Sequence, residues 1–88
     1  MKTSKLIRRD ADDLSAYILL NVKPGTENRV IENLKKLKET ITANVLYGEW
    51  DVIAGIKVDD IKYLDGLIIE KIRKIQGVKM TSTMIVAK

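Results

Sequence analysis

The chain has 88 residues, enough for one domain with a modest core. It contains no cysteine and no histidine, which excludes a disulfide framework, thiolate and imidazole metal sites, and the Ser-His and Cys-His nucleophile pairs. Its 16 basic and 12 acidic residues leave a net charge of +4, but the two signs alternate along the chain, so the basic stripe of a nucleic-acid binder is missing.

Residues 1–14 are polar and mixed in charge, and read as an N-terminal arm to a domain spanning 15–88. They lack the apolar stretch of a signal peptide and are too few for a helix-turn-helix. The longest uncharged runs, Leu14 to Val22 and Thr40 to Gly48, are nine residues each. A membrane-spanning helix needs about twenty. A cytoplasmic protein with no membrane contact is therefore expected. Abundant Lys, Ile and Glu without Cys lean towards a thermophile.

"SAYILLNVK" (15–23) is apolar and β-prone, and reads as a strand stopped by Pro24-Gly25. Thr26 is placed to cap the helix that follows, its hydroxyl accepting a first-turn N–H. Val30, Ile31, Leu34 and Leu37 share one face of that helix. "ITANVLYG" (41–48) and "WDVIAGIKV" (50–58) read as two strands. Gly48 at the first central position of a two-residue turn between them suits type II′. Asp59 or Asp60 caps a second helix whose apolar face is Ile61, Leu64, Ile68, Ile72 and Ile75. Gly66 inside that helix suggests a close contact that wants no side chain. Gly77 ends the helix as a C′ residue, and "VKMTSTMIVA" (78–87) is the last strand.

The order β-α-β, β-α-β predicts an α+β, ferredoxin-like fold. Its four-stranded antiparallel sheet carries both helices on one face. Ala16, Ile18, Leu20 and Val22 point to one side of the first strand, Tyr17 and Leu19 to the other. Val52, Ala54, Ile56 and Val58 share a face, with Ile53 and Gly55 opposite. Strands apolar on both faces are buried on both. The expectation is a homodimer with the two open sheets packed face to face.

Three motifs carry a family resemblance: "NVKPGTE", "YGEWDVIAGIKVDD" and "IRKIQGVKMTSTMIVA". Together they resemble the effector-binding (RAM) domain of the Lrp/AsnC, or feast/famine, transcriptional regulators. The resemblance covers residues 15 to 87. It implies a module that dimerises, assembles dimers into octamer-like rings, and binds a small effector, often an amino acid, between dimers. It also implies association with full-length relatives. The DNA-binding half of such regulators is missing from this sequence, so direct DNA binding is not expected. Trp50 stands where the family more often has Tyr.

The resemblance places the effector beside Gly48, Glu49, Trp50 and Asp51, and beside Thr81, Ser82 and Thr83. The chemistry is reasonable in its own right. A glycine lets backbone N–H groups approach a carboxylate, and an acid takes an α-ammonium group. Thr81 and Thr83 share a strand face and can hold a carboxylate, with Ser82 on the other face. A plain turn followed by a buried tryptophan, with threonines that merely suit a strand, accounts for the same residues. No metal or cofactor is called for. A small dimeric ferredoxin-like enzyme is the alternative, limited to carboxylates, Lys and Tyr. An RRM-type RNA binder would need paired aromatics on its central strands, which "EWDVIAGIKV" does not supply.

Overall fold

The computed structural model describes residues 14–87, so the expected arm, apart from Leu14, lies outside the described residues. The chain runs β1 (Ala16–Val22), α1 (Glu27–Lys35), β2 (Thr40–Val45), β3 (Val52–Ile56), α2 (Ile61–Leu67), and β4 (Val78–Ile85). Helix α2 continues without a break into one π-helical turn, Ile68–Ile72. The strands form one sheet in the order β2-β3-β1-β4, and every neighbouring pair is antiparallel. This is the ferredoxin-like α+β arrangement that the element order predicts. No helix among the described residues is long and apolar enough to cross a membrane.

Side-chain alternation decides which face of the sheet is the core. Ala16, Ile18 and Leu20 are fully buried, as are Val52, Ala54 and Ile56. The helices close over them with Val30 and Leu34 from α1 and Leu64, Leu67, Ile68 and Ile72 from α2. Ile61, expected in this layer, is instead 45% exposed. It is the first residue after the cap and points to solvent, and Leu67, one turn beyond Leu64, takes the inward place. Directly paired residues share a face. The pairs Tyr17↔Gly55, Leu19↔Ile53, Leu19↔Ser82 and Tyr17↔Met84 therefore lie on the side away from the helices. Gly55 is closely covered on that side, where a Cβ would come within 2.7 Å of Thr42 Oγ1 and 3.0 Å of a Leu14 methyl.

Several local expectations change. The β2–β3 hairpin tip is not a two-residue turn: the last ladder pair is Val45↔Val52, and Leu46 N–H donates to the Asp51 carbonyl at 2.8 Å, leaving four residues in the tip. Gly48 does have a positive φ, +137°. Thr26 stands at the N-cap of α1 but makes no side-chain capping bond, and its hydroxyl donates instead to the Lys23 carbonyl at 2.6 Å. Asp60 is the cap of α2, accepting Lys62 N–H at 3.1 Å. Gly77 is not at the helix end. The π turn closes at Ile72, and Gly77, with φ +102°, lies in the later Ile75–Val78 turn. Gly66 has no close neighbour, since a Cβ there would meet nothing within 4 Å.

Those two glycines give opposite predictions. Gly66→Ala, measured by urea unfolding at low protein concentration, should stabilise the domain by about 1 kcal/mol, the usual helix preference for alanine. Gly77→Ala should destabilise it by at least ~1 kcal/mol. Its positive φ is strained for alanine, and a Cβ would come within 2.7 Å of Thr26 Oγ1.

Candidate functional site

The β1–β3 ladder ends at Leu20↔Val52, and the hairpin tip then folds against the end of β1. Asp51 N–H donates to the Leu20 carbonyl at 2.9 Å. The next β1 donor on that side, Val22 N–H, has no backbone acceptor from β3 and goes to Asp51 Oδ2 at 2.9 Å. Asn21 Nδ2 donates to the Glu49 carbonyl at 3.0 Å and lies 3.5 Å from Asp51 Oδ2. One carboxylate thus replaces the missing strand partner and fastens the tip in place.

On the other side of β1 the ladder with β4 is also interrupted. Asn21 pairs with Met80 and Val22 with Val78, so Lys79 is an extra residue in the β4 strand. Bulges of this kind re-aim side chains. Lys79 joins Asn21, Val22, Pro24, Glu27, Asp51 and Met80 around an open cleft of about 460 Å³. Carboxylates from two elements and an ammonium from a third therefore border one space. An adjoining hollow of about 340 Å³ is lined by Arg73, Val78, Lys79, Met80 and Thr81.

The residues singled out from the sequence are not gathered in one cup: residues 48–51 and Thr81 lie at this end of the sheet, Ser82 and Thr83 further along β4. Asp51 borders the larger cleft and Thr81 the smaller. Gly48 and Glu49 are exposed at the tip and Trp50 is half-buried. Thr81 pairs with Leu20 and Thr83 with Ile18, which puts both threonines on the helix side, Thr81 half-buried and Thr83 exposed. Ser82 pairs with Leu19 on the open side. Asn21, Glu27, Lys79 and Met80 fall within the family motifs but were not singled out as site residues. The only signal for Lys79 is a charge within an apolar strand, and a bulge cannot be located before the strand's partner is known.

A second polar cluster lies at the opposite end of the sheet. Glu39, just before β2, is buried, and its carboxylate accepts a hydrogen bond from the Tyr63 hydroxyl of α2. That bond holds the Glu39 carboxyl below the ordinary carboxylate range, with Lys71 and Lys38 adding attraction and burial opposing them. The same bond raises the Tyr63 phenol above its ordinary value. Lys38, Lys57, Val58, Asp59 and Asp60 complete a cleft of about 500 Å³ with them. Among the described residues no group of three or more acids could hold a metal ion.

The sequence of residues 15–88 matches a family described as the Lrp/AsnC ligand binding domain. An uncharacterized HTH-type transcriptional regulator of Pyrococcus abyssi is 32% identical over 73 residues, 83% of this chain and 46% of the relative. The chain spans about half the length of the curated relatives it matches. Their Pyrococcus origin agrees with the thermophilic lean of the composition. The crystal structure of FFRP-DM1 is 44% identical, with a TM-score of 0.79, covering 83% of this chain and 97% of that one. A transcriptional regulator of Neisseria meningitidis, solved as a complex with L-Met, is 18% identical with a TM-score of 0.75 over 92% of this chain and 55% of its own, a likeness of fold alone.

Two substitutions test the polar anchors. Asp51→Ala strands the Val22 N–H and should cost about 1–3 kcal/mol in urea unfolding. Asp51→Asn keeps an acceptor oxygen and should cost less. Tyr63→Phe should return the Glu39 carboxyl towards its ordinary value. A depressed carboxyl contributes stability above its unfolded pKa and loses it as pH falls through the folded pKa. The wild-type advantage over Tyr63→Phe should therefore be full near neutrality and shrink on acidification through the Glu39 titration. It should also shrink in alkali, as pH rises through the elevated Tyr63 pKa. Unfolding curves recorded across pH read both limbs.

Proposed function

The chain belongs to the Lrp/AsnC ligand-binding-domain family, and from that premise we propose that it is a regulatory module, not an enzyme, which binds an amino acid at the hairpin end of a sheet-paired dimer. The observation that carries the ligand assignment is the cleft that the bulge residue Lys79 lines together with Asp51 and Glu27. An α-amino acid presents an ammonium and a carboxylate a few ångströms apart, and a site with both signs of charge is suited to it. Because Asp51 Oδ2 already accepts Val22 N–H, Glu27 is the better partner for a ligand ammonium, with Lys79 for the carboxylate. Gly48, Glu49, Trp50 and Thr81 border this end of the sheet, Ser82 and Thr83 lie further along β4 opposite Leu19 and Ile18, and a neighbouring subunit there would complete the enclosure. The L-Met complex of the Neisseria regulator supports the ligand class.

The dimer rests on the open sheet face. Tyr17, Leu19 and Ile53 lie on its two central strands by register, and Met80 and Met84, about half exposed, on the edge strand β4. Asn21 and Ser82 are interspersed among them, and Thr42 and Asn44 lie on the other edge strand, β2. Apolar groups gathered on one side of a small domain mark a surface for a partner. An assembly of such dimers, or pairing with full-length regulators, is the route by which ligand binding reaches transcription. A ligand shifts that equilibrium only through its different affinity for the two assembly states.

The titrating groups also speak for binding over catalysis. The acid-base pair with shifted titration is Glu39–Tyr63, and there the carboxyl is held ionised and the phenol protonated, the opposite of a pair poised to exchange protons near neutrality.

A thermal-shift screen against the twenty amino acids tests the ligand. A binder at a hundred times its dissociation constant should stabilise by about 2.7 kcal/mol. Lys79→Ala should remove most of that shift while leaving the unliganded melting temperature nearly unchanged. A full response in that variant, or no response to any amino acid, sinks the assignment. Ile53→Lys should convert a sedimenting dimer to monomer, and a wild-type monomer at high concentration would refute the sheet pairing.

A further inference from the structure

The mixing of charge along the chain stops at Glu70. Residues 71–88 hold Lys71, Arg73, Lys74, Lys79 and Lys88 and no acid, so the excess positive charge of the sequence belongs to this one stretch. Within it the Ile75–Val78 turn joins the helix to the start of β4. Arg73 is the residue that follows the π turn, and it lines the smaller hollow with Val78, Lys79, Met80 and Thr81. Both charges on that hollow are positive. The larger cleft leans the other way, with Glu27 and Asp51 against Lys79. Lys79 and Met80 line both spaces, so the bulge is their common border.

A simple α-amino acid uses only part of this arrangement. Its ammonium goes to Glu27 and its carboxylate to Lys79, which leaves Arg73 and the Thr81 hydroxyl for whatever the side chain brings. We propose that the effector is an amino acid with an acidic side chain, glutamate or aspartate, and that Arg73 is the residue that selects it. A guanidinium takes a carboxylate through two parallel hydrogen bonds, and a threonine hydroxyl can donate another. Val78 and Met80 supply apolar contact for the methylene groups between the two carboxylates.

Other effectors fit the same placement less well. An aliphatic side chain would set hydrocarbon against Arg73 and Lys79, and those charges would give up water for no partner as the site closes. A basic side chain would bring a third positive charge into the hollow. An amide keeps an acceptor oxygen but loses the charge. Arg73 and Lys79 are both exposed, so solvent and salt screen the pairing and its strength falls as salt is added. This deepens the proposed function and rests on its placing of the effector at the hairpin end; the new element is the charge of the side chain and the residue that reads it.

Isothermal titration of the full chain with glutamate, aspartate, glutamine, leucine, lysine and succinate tests the selection, with circular dichroism as the check on folding. The better of the two acidic amino acids should bind roughly tenfold more tightly than glutamine, the scale of one charge-assisted pairing. Succinate, which has both carboxylates and no ammonium, should bind more weakly than either. The preference for acid over amide should shrink when sodium chloride is raised from about 50 to about 500 mM. Arg73→Gln should fold as the wild type and bring the acidic ligands down to the level of glutamine. Arg73→Glu should invert the order in favour of lysine. If leucine or glutamine binds the wild type as tightly as the acidic pair, or the preference survives Arg73→Gln, the selection is overturned and the site at the hairpin end still stands. If no amino acid binds, or binding is untouched by Lys79→Ala, the site itself is misplaced and this inference falls with it.

Discussion

Two helices cover four strands from one side, and on the other side Leu14 reaches over Gly55. The consequence is visible in β1, where residues alternate between complete burial at Ala16, Ile18 and Leu20 and partial burial at Tyr17, Leu19 and Asn21. The first set is the core of the domain. The second carries aromatic and aliphatic groups that a solvent-facing strand would normally replace with polar ones. With a buried set of only 14 apolar side chains, the domain has few contacts to spare. An arrangement in which the open face is also buried would add to a stability that small cores supply sparingly.

The polar anchors sit at the two ends of the same sheet, where ladders run out. At one end Asp51 accepts the N–H that β3 leaves without a partner on Val22, and Asn21 holds the tip through the Glu49 carbonyl. At the other, Ser15 Oγ bonds both the N–H and the carbonyl of Val58, and Lys57 N–H donates to the Glu39 carbonyl. These bonds give direction to strand ends that apolar packing alone leaves loose. They also explain why charged groups of both signs meet at the hairpin end. There a bulge, a turn and a helix start bring Lys79, Asp51 and Glu27 to one cleft, whereas at the far end the carboxylate is already satisfied by Tyr63.

The surface of α2 presents a different balance. Its inward residues Leu64, Leu67, Ile68 and Ile72 belong to the core, while its exposed residues include Gly66 and the large apolar Ile61, Tyr63 and Ile69. An exposed glycine lowers the intrinsic preference of this segment for a helix, so burial of the inward side must hold it.

Element order, fold class and the core face of β1 and β3 were legible in the sequence, because burial imposes a period of two on strands and 3.6 on helices. The family followed from motifs that the same chain carries in order. Other features depended on pairings that no local pattern encodes. The hairpin tip is four residues long because Leu46 and Asp51 bond across it. The Thr26 hydroxyl donates to the Lys23 carbonyl across the turn and does not cap the helix. Lys79 enters the cleft because the β1–β4 register slips by one at that point. The sequence by itself determined which residues must leave water. Only the tertiary structure decided which polar groups meet at the strand ends, since register and turn geometry are set by contacts between segments distant along the chain.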